Sequence, residues 1–138
     1  MRTVTFTIPG EPKGKGRPRF SSRSGRTYTP SETTDYENKV RLSYSQQVGS
    51  TRLYGAIRAD ITAYFKIPKS TPKKKAAKLA EENTPCLKAP DADNIAKIVL
   101  DALGGLVYEN DKAVIYLTVG KLYGAKPRVQ VTLTEVNT

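Results

Sequence analysis

Residues 90–111 read Pro90-Asp91-Ala92-Asp93-Asn94-Ile95-Ala96-Lys97-Ile98-Val99-Leu100-Asp101-Ala102-Leu103-Gly104-Gly105-Leu106-Val107-Tyr108-Glu109-Asn110-Asp111. The stretch holds five of the chain's 13 acidic residues and one basic residue, Lys97, in a chain of formal charge +10. Pro90 disfavours helical geometry at Ala89, so a helix can begin only after it. Asp91 or Asp93 can serve as N-cap and complement the positive end of the helix dipole. Ile95, Ile98, Val99, Ala102 and Leu103 then recur at helical spacing as one apolar stripe, and Gly104-Gly105 supplies the stop. Two aspartates at alternate positions before a helix suit a hard divalent cation such as Mg²⁺, which takes few oxygen ligands from protein. The same residues also suit a plainer role, with Asp91 and Asp93 as caps and Asp93–Lys97–Asp101 as a solvated ion-pair face. An EF-hand loop is excluded, because Ile95 and Ala96 stand where a ligand and the required glycine belong.

Outward from this stretch, composition narrows the chemistry. At 138 residues the chain is long enough for one domain, 1–138, with a modest core. One cysteine and no histidine exclude a disulfide framework, a Cys/His zinc cluster and histidine-based catalysis. No apolar run approaches membrane-spanning length and no signal-peptide pattern opens the chain, so a cytoplasmic protein with no membrane partner is expected. The positive charge points to a polyanion, most commonly nucleic acid.

From about residue 11 to 29 the chain is a loop or arm carrying Lys13, Lys15, Arg17, Arg19, Arg23 and Arg26 among glycines and serines. It is either a solvated loop or a segment that orders on a phosphate backbone, and its charge density favours DNA contact. Lys73, Lys74 and Lys75, on a short helix expected over Lys73 to Glu82 behind Thr71-Pro72, offer a solvated face or a second phosphate contact. Thr34-Asp35-Tyr36-Glu37 reads as a capping box opening a helix to about Val48, with Tyr36, Val40 and Tyr44 on its core face. Val4-Phe6-Ile8 and Ile57–Phe65 alternate as strands. Ala113–Lys121 and Arg128–Val136 read as two more, joined like a hairpin through Gly124–Pro127. The order of elements gives an α+β two-layer domain, a mixed sheet with helices on one face.

The pattern Asp91-x-Asp93-Asn94-x-x-Lys97-x-x-x-Asp101-Ala102-Leu103, then Tyr108-Glu109-Asn110-Asp111, resembles the core motif of the RusA family of Holliday junction resolvases. The likeness extends to Gly14-Lys15-Gly16-Arg17-Pro18-Arg19-Phe20 and the closing strands. It implies Asp91, Asp93 and Asp111 as metal-binding carboxylates, Lys97 as the essential lysine, and Mg²⁺ as cofactor with Mn²⁺ as a substitute. It also implies a homodimer cutting branched four-way DNA junctions with paired nicks that leave 5′-phosphate ends, and an edge strand is the expected pairing surface. Asn110 stands where many members have an aspartate, and Ala89 interrupts a common Lys-Pro-Asp. A restriction-type nuclease of the PD-(D/E)-x-K pattern is the first alternative; Pro90-Asp91 fits its opening, but no acidic-x-Lys follows downstream, since Glu37-Asn38-Lys39 lies upstream in an early helix and Glu11-Pro12-Lys13 lies earlier still. A non-catalytic DNA-binding protein is the second, and it has no use for three converging aspartates.

Overall fold

The computed structural model describes residues 2–16, 19–28 and 30–136. In chain order the elements are β1 (Thr3–Pro9), β2 (Arg19–Phe20), β3 (Thr27–Tyr28), α1 (Ser31–Gln47), β4 (Ile57–Lys66), α2 (Lys73–Leu79), α3 (Ala92–Leu103), a 3₁₀ turn (Asp111–Ala113), β5 (Val114–Gly124) and β6 (Arg128–Glu135). The fold is α+β, with a four-stranded mixed sheet in the order β1-β6-β4-β5. β4 explains why the sheet forms where it does. Its Ile57, Ala59, Ile61, Ala63 and Phe65 point to one face and are all at most 1% exposed, while Arg58, Asp60, Thr62 and Tyr64 point to the other.

Val4, Phe6 and Ile8 of β1 and Val129, Val131 and Leu133 of β6 extend the same apolar face. The α1 residues Tyr36, Val40 and Tyr44 cover it, with Tyr44 set edge-on to Phe6 at a 5.3 Å ring separation. The stripe of α3 is buried as its spacing requires: Ile95, Ile98, Val99, Ala102 and Leu103 are 0–1% exposed. The opposite face of the sheet is polar, with Thr5 hydrogen-bonded to Thr132 and Thr118 donating to Asp60.

Three local expectations change. The hairpin of the last two strands does not form: β5 pairs in parallel with β4, and β6 lies on β4's other side, antiparallel to β4 and β1. The inward residues of β6 are completely buried and take neighbours on both sides, whereas β5 keeps several exposed residues and serves as an edge. The crossover through α2 and α3 lets β5 run parallel to β4. The capping box is also unmade. Helix α1 opens at Pro30 with no side-chain cap, so Thr34 lies inside the helix and Glu37 is free to turn elsewhere. Helix α2 stops at Leu79, short of Glu82, which takes a left-handed backbone (φ 64°) and grips Arg128 through two hydrogen bonds of 2.8 and 3.0 Å.

Candidate active site

Asp91 is the N-cap residue of α3 in extended geometry, yet its side chain makes no capping hydrogen bond. Asp93 occupies the first turn. Both are exposed, and among the described residues neither enters an ion pair. The helix dipole favours two negative charges at this end, which leaves their oxygens available to an outside cation. Capping therefore does not account for them.

The segment Lys13–Gly16 is laid along α3 as a strap. The Lys15 amide donates to the Asn94 carbonyl at 3.1 Å, and the Gly16 amide donates to Thr33 Oγ1 at 3.0 Å. The approach is so close that a Cβ on Gly14 would stand 2.7 Å from Pro90 Cβ, and one on Gly16 2.5 Å from Thr33 Oγ1. Glycine is demanded at both positions by packing. Between them Lys15 turns inward, with its Nζ 2.8 Å from Glu37 and 3.3 Å from Asp101. Burial works to lower the Lys15 pKa, but the hydrogen bonds and charges of Glu37 and then Asp101 outweigh it and raise it. This lysine, expected on a mobile basic loop, ties the strap to two helices.

The other basic positions divide by location. Lys13, Arg23 and Arg26 are exposed, the last two around the turn of the β2–β3 ribbon, which has no counterpart in the sequence pattern. Lys73, Lys74 and Lys75 are exposed on α2. Arg19 contributes backbone to β2; its side chain, like Arg17 altogether, lies outside the described residues. Lys97 is exposed on α3, 3.6 Å from Asp101.

At its C-terminal end α3 stops at Gly104, and Gly105 (φ 84°) turns the chain so that its amide donates to the Tyr108 carbonyl. Tyr108 is buried and its hydroxyl donates to the Leu100 carbonyl at 2.6 Å. Asn110 caps the 3₁₀ turn: its Oδ1 accepts from the Lys112 amide at 2.9 Å, which gives the substituted aspartate position a structural role. Asp111 is exposed and lines a cleft of about 510 Å³ with Lys15, Glu37, Arg41, Asp101 and Glu109. Burial, and after it the charges of Asp111 and Asp101, push the Tyr108 hydroxyl pKa up.

Asp111 is therefore at the opposite end of α3 from Asp91 and Asp93, and a helix of 12 residues is about 18 Å long at 1.5 Å per residue. Among the described residues no group of three or more His, Cys, Asp or Glu side chains is placed to hold a metal ion. Asp91 and Asp93 nonetheless have the chemistry for Mg²⁺, which needs one or two carboxylates when substrate phosphate and water complete its shell. Glu37, Arg41 and Glu109 join the cleft without having been singled out by sequence. Glu37 carried only a local capping signal, and Arg41, whose Nη1 donates to the Ala102 carbonyl at 3.3 Å, carried none.

The family model described as Endodeoxyribonuclease RusA matches residues 9–134. The chain is also 37% identical over 142 residues to the uncharacterized protein YqaN of Bacillus subtilis (strain 168), with 99% of each chain covered.

Proposed function

Since the chain belongs to the RusA family of endodeoxyribonucleases, which resolve Holliday junctions, we propose that it cuts four-way DNA junctions in a Mg²⁺-dependent reaction. The cuts are paired nicks that leave 5′-phosphate and 3′-hydroxyl ends, made by a homodimer acting in the cytoplasm. The observation that carries this reading is the state of the acidic residues. Of the aspartates in and flanking α3, Asp101 is held by Lys15 and Lys97, whereas Asp91, Asp93 and Asp111 are exposed and enter no ion pair among the described residues. Uncompensated carboxylates in a chain of charge +10 are costly for a protein that only binds DNA, because they repel the phosphates.

In this mechanism Asp91 and Asp93 hold the cation from one chain, and Asp111 serves from a second chain, because its own chain keeps it at the far end of α3. Held there, Mg²⁺ would supply Lewis-acid chemistry at a phosphoryl oxygen and a more acidic water. Lys97, one helical turn beyond Asp93 and 58% exposed beside Asp101, would swing its ammonium to the charge that grows on the scissile phosphate. Exposed Lys13, Arg23, Arg26, Lys73, Lys74 and Lys75, together with Arg17 and Arg19, bind the DNA backbone. Lys15 is withdrawn from that set, since Glu37 and Asp101 already neutralise it. The restriction-type alternative loses the Glu-x-Lys of α1, because Glu37 is turned to Lys15 and Lys39 lies over the Tyr36 ring, 6.0 Å from its centroid. A synthetic four-way junction, labelled on each strand in turn and incubated with and without Mg²⁺, tests the reading. Symmetric nicks that need the metal are expected; binding without cleavage in Mg²⁺ or Mn²⁺ would overturn it.

A further inference from the structure

From Pro12 to Ser31 the chain carries six cations and no acidic residue. The strap at the start of this segment is bolted to α1 and α3, but the β2–β3 ribbon that follows stands apart. It forms a two-stranded sheet of its own, separate from the four-stranded one, and every residue from Ser22 to Tyr28 is exposed. Its shape is nonetheless set. The Ser21 amide donates to the Arg26 carbonyl at 2.8 Å, the Gly25 amide donates to the Ser21 carbonyl at 2.9 Å, and Gly25 turns the tip with φ 67°. The feet of this finger are held together, since a Cβ on Gly16 would stand 3.3 Å from Pro30 Cγ. One on Gly14 would meet Pro90 and Asn94, so the finger is rooted beside the end of α3 that carries Asp91 and Asp93.

The ribbon holds two aromatic residues, Phe20 and Tyr28, and they are 68% and 49% exposed. Cross-strand partners share a face of a sheet, and successive residues alternate between faces. Because Phe20 pairs with Thr27 and Arg19 with Tyr28, the two rings stand on opposite faces. A solvated loop gains nothing from rings held in water, and contact with phosphates needs none. Nucleobases do use them, because every base offers a flat face on which an aromatic ring stacks. Charge selects the same occupant. A second copy of this chain, of net charge +10, is repelled by a ribbon without an acidic residue, whereas DNA is drawn to it.

Thickness decides which bases. A strand layer with side chains on both faces is about 10 Å through, while successive base pairs lie about 3.4 Å apart. The ribbon is therefore too thick to slip between stacked pairs of a linear duplex. The open centre of a four-way junction has the room, and each arm ends there in a base pair with one face uncovered. We propose that the β2–β3 ribbon enters the centre of a branched DNA junction, where Phe20 and Tyr28 stack on the end base pairs of two different arms and so select branched over linear DNA. This rests on the reading that a junction is the substrate, and it adds a contact to bases where the cations of the arm reach phosphates.

Binding measured without Mg²⁺ keeps the test apart from cleavage. Phe20→Ala and Tyr28→Ala should each bind a four-way junction about tenfold more weakly, the scale of one lost base-stacking contact. Both should bind a linear duplex of the same sequence as wild type does. The slope of log binding constant against log salt should stay the same, because neither ring releases a counterion, whereas Arg26→Ala should flatten it on both DNAs. The chain has no tryptophan, so Phe20→Trp reports from the ribbon alone. It should bind as wild type does and lose fluorescence on the junction but not on the duplex. Full junction affinity in both alanine variants, an equal loss on junction and duplex, or an unquenched Phe20→Trp on the junction would each overturn the proposal. Junction binding with these ring effects, but no cleavage once Mg²⁺ is added, would overturn the nuclease reading and leave the ribbon's selection of branched DNA standing.

Discussion

At the N-terminal end of α3, Asp91 and Asp93 face solvent and enter no ion pair among the described residues. Two turns further along the same helix, Asp101 lies 3.3 Å from Lys15 and 3.6 Å from Lys97. All three are aspartates of one short run of sequence, yet their surroundings differ. A carboxylate already neutralised within the protein secures the fold, and one left without an internal partner is available to an outside cation. Acidity alone does not separate these three aspartates; an internal cation at Asp101 does.

The largest expected effect comes from exchanging charge at one end against the other. Asp93→Asn should reduce junction cleavage by more than about 10²-fold, the scale on which removing one electrostatic stabiliser acts, while junction binding is kept or strengthened. Asp101→Asn should leave binding intact and lower stability by about 1 kcal/mol, as for a modest ion pair. Cleavage kinetics and melting curves on both variants check this, and equal loss of cleavage from both would erase the contrast between the two ends. Next in size is Gly14→Ala. Its new methyl meets Pro90 Cβ at 2.7 Å, and forcing an extra methyl into a filled contact costs about 1–3 kcal/mol, which denaturant unfolding would read out.

Much of this was legible in the residues themselves. The stripe of α3, its glycine stop and the alternation of β4 are short-range patterns, and burial followed them. The strap was not legible, because Gly14 and Gly16 answer to Pro90 and Thr33, which are distant in sequence, and Lys15 answers to Glu37 and Asp101. For the same reason Glu37 resembled half of a capping box: its true partner lies 22 residues earlier, where no local motif reaches. The turn before β6 has hairpin composition, but composition cannot say that β4 stands between β5 and β6. That Asp111 would lie at the far end of α3 depended on the path after Gly105, which the Tyr108 hydroxyl fixes by donating to the Leu100 carbonyl.

A smaller effect separates Lys15 from the exposed cations. Its pKa is raised in the folded protein, so its ion pairs stabilise fully below the ordinary lysine value of 10.5 and lose that contribution as pH rises through the raised value. Lys15→Met should therefore show less alkaline loss of stability above that pH than wild type, with unchanged salt dependence of DNA binding. Neutralising Lys73, Lys74 and Lys75 should do the reverse. Stability should hardly move, and the slope of log binding constant against log salt should flatten by roughly one unit per lost phosphate contact. An unchanged slope would remove α2 from the DNA surface.

The central claim is that carboxylates at the two ends of α3 serve one catalytic set drawn from two chains. Mixing Asp93→Asn with Asp111→Asn, each inactive alone, tests it directly. In a mixed dimer one site carries both changes and the other carries neither. After subunit exchange, nicking of a four-way junction in Mg²⁺ should return at roughly a quarter of the wild-type level, because half of the dimers are mixed and each holds one intact site. A mixture as inactive as its two components would contradict the account, placing all three aspartates of a working site in one chain.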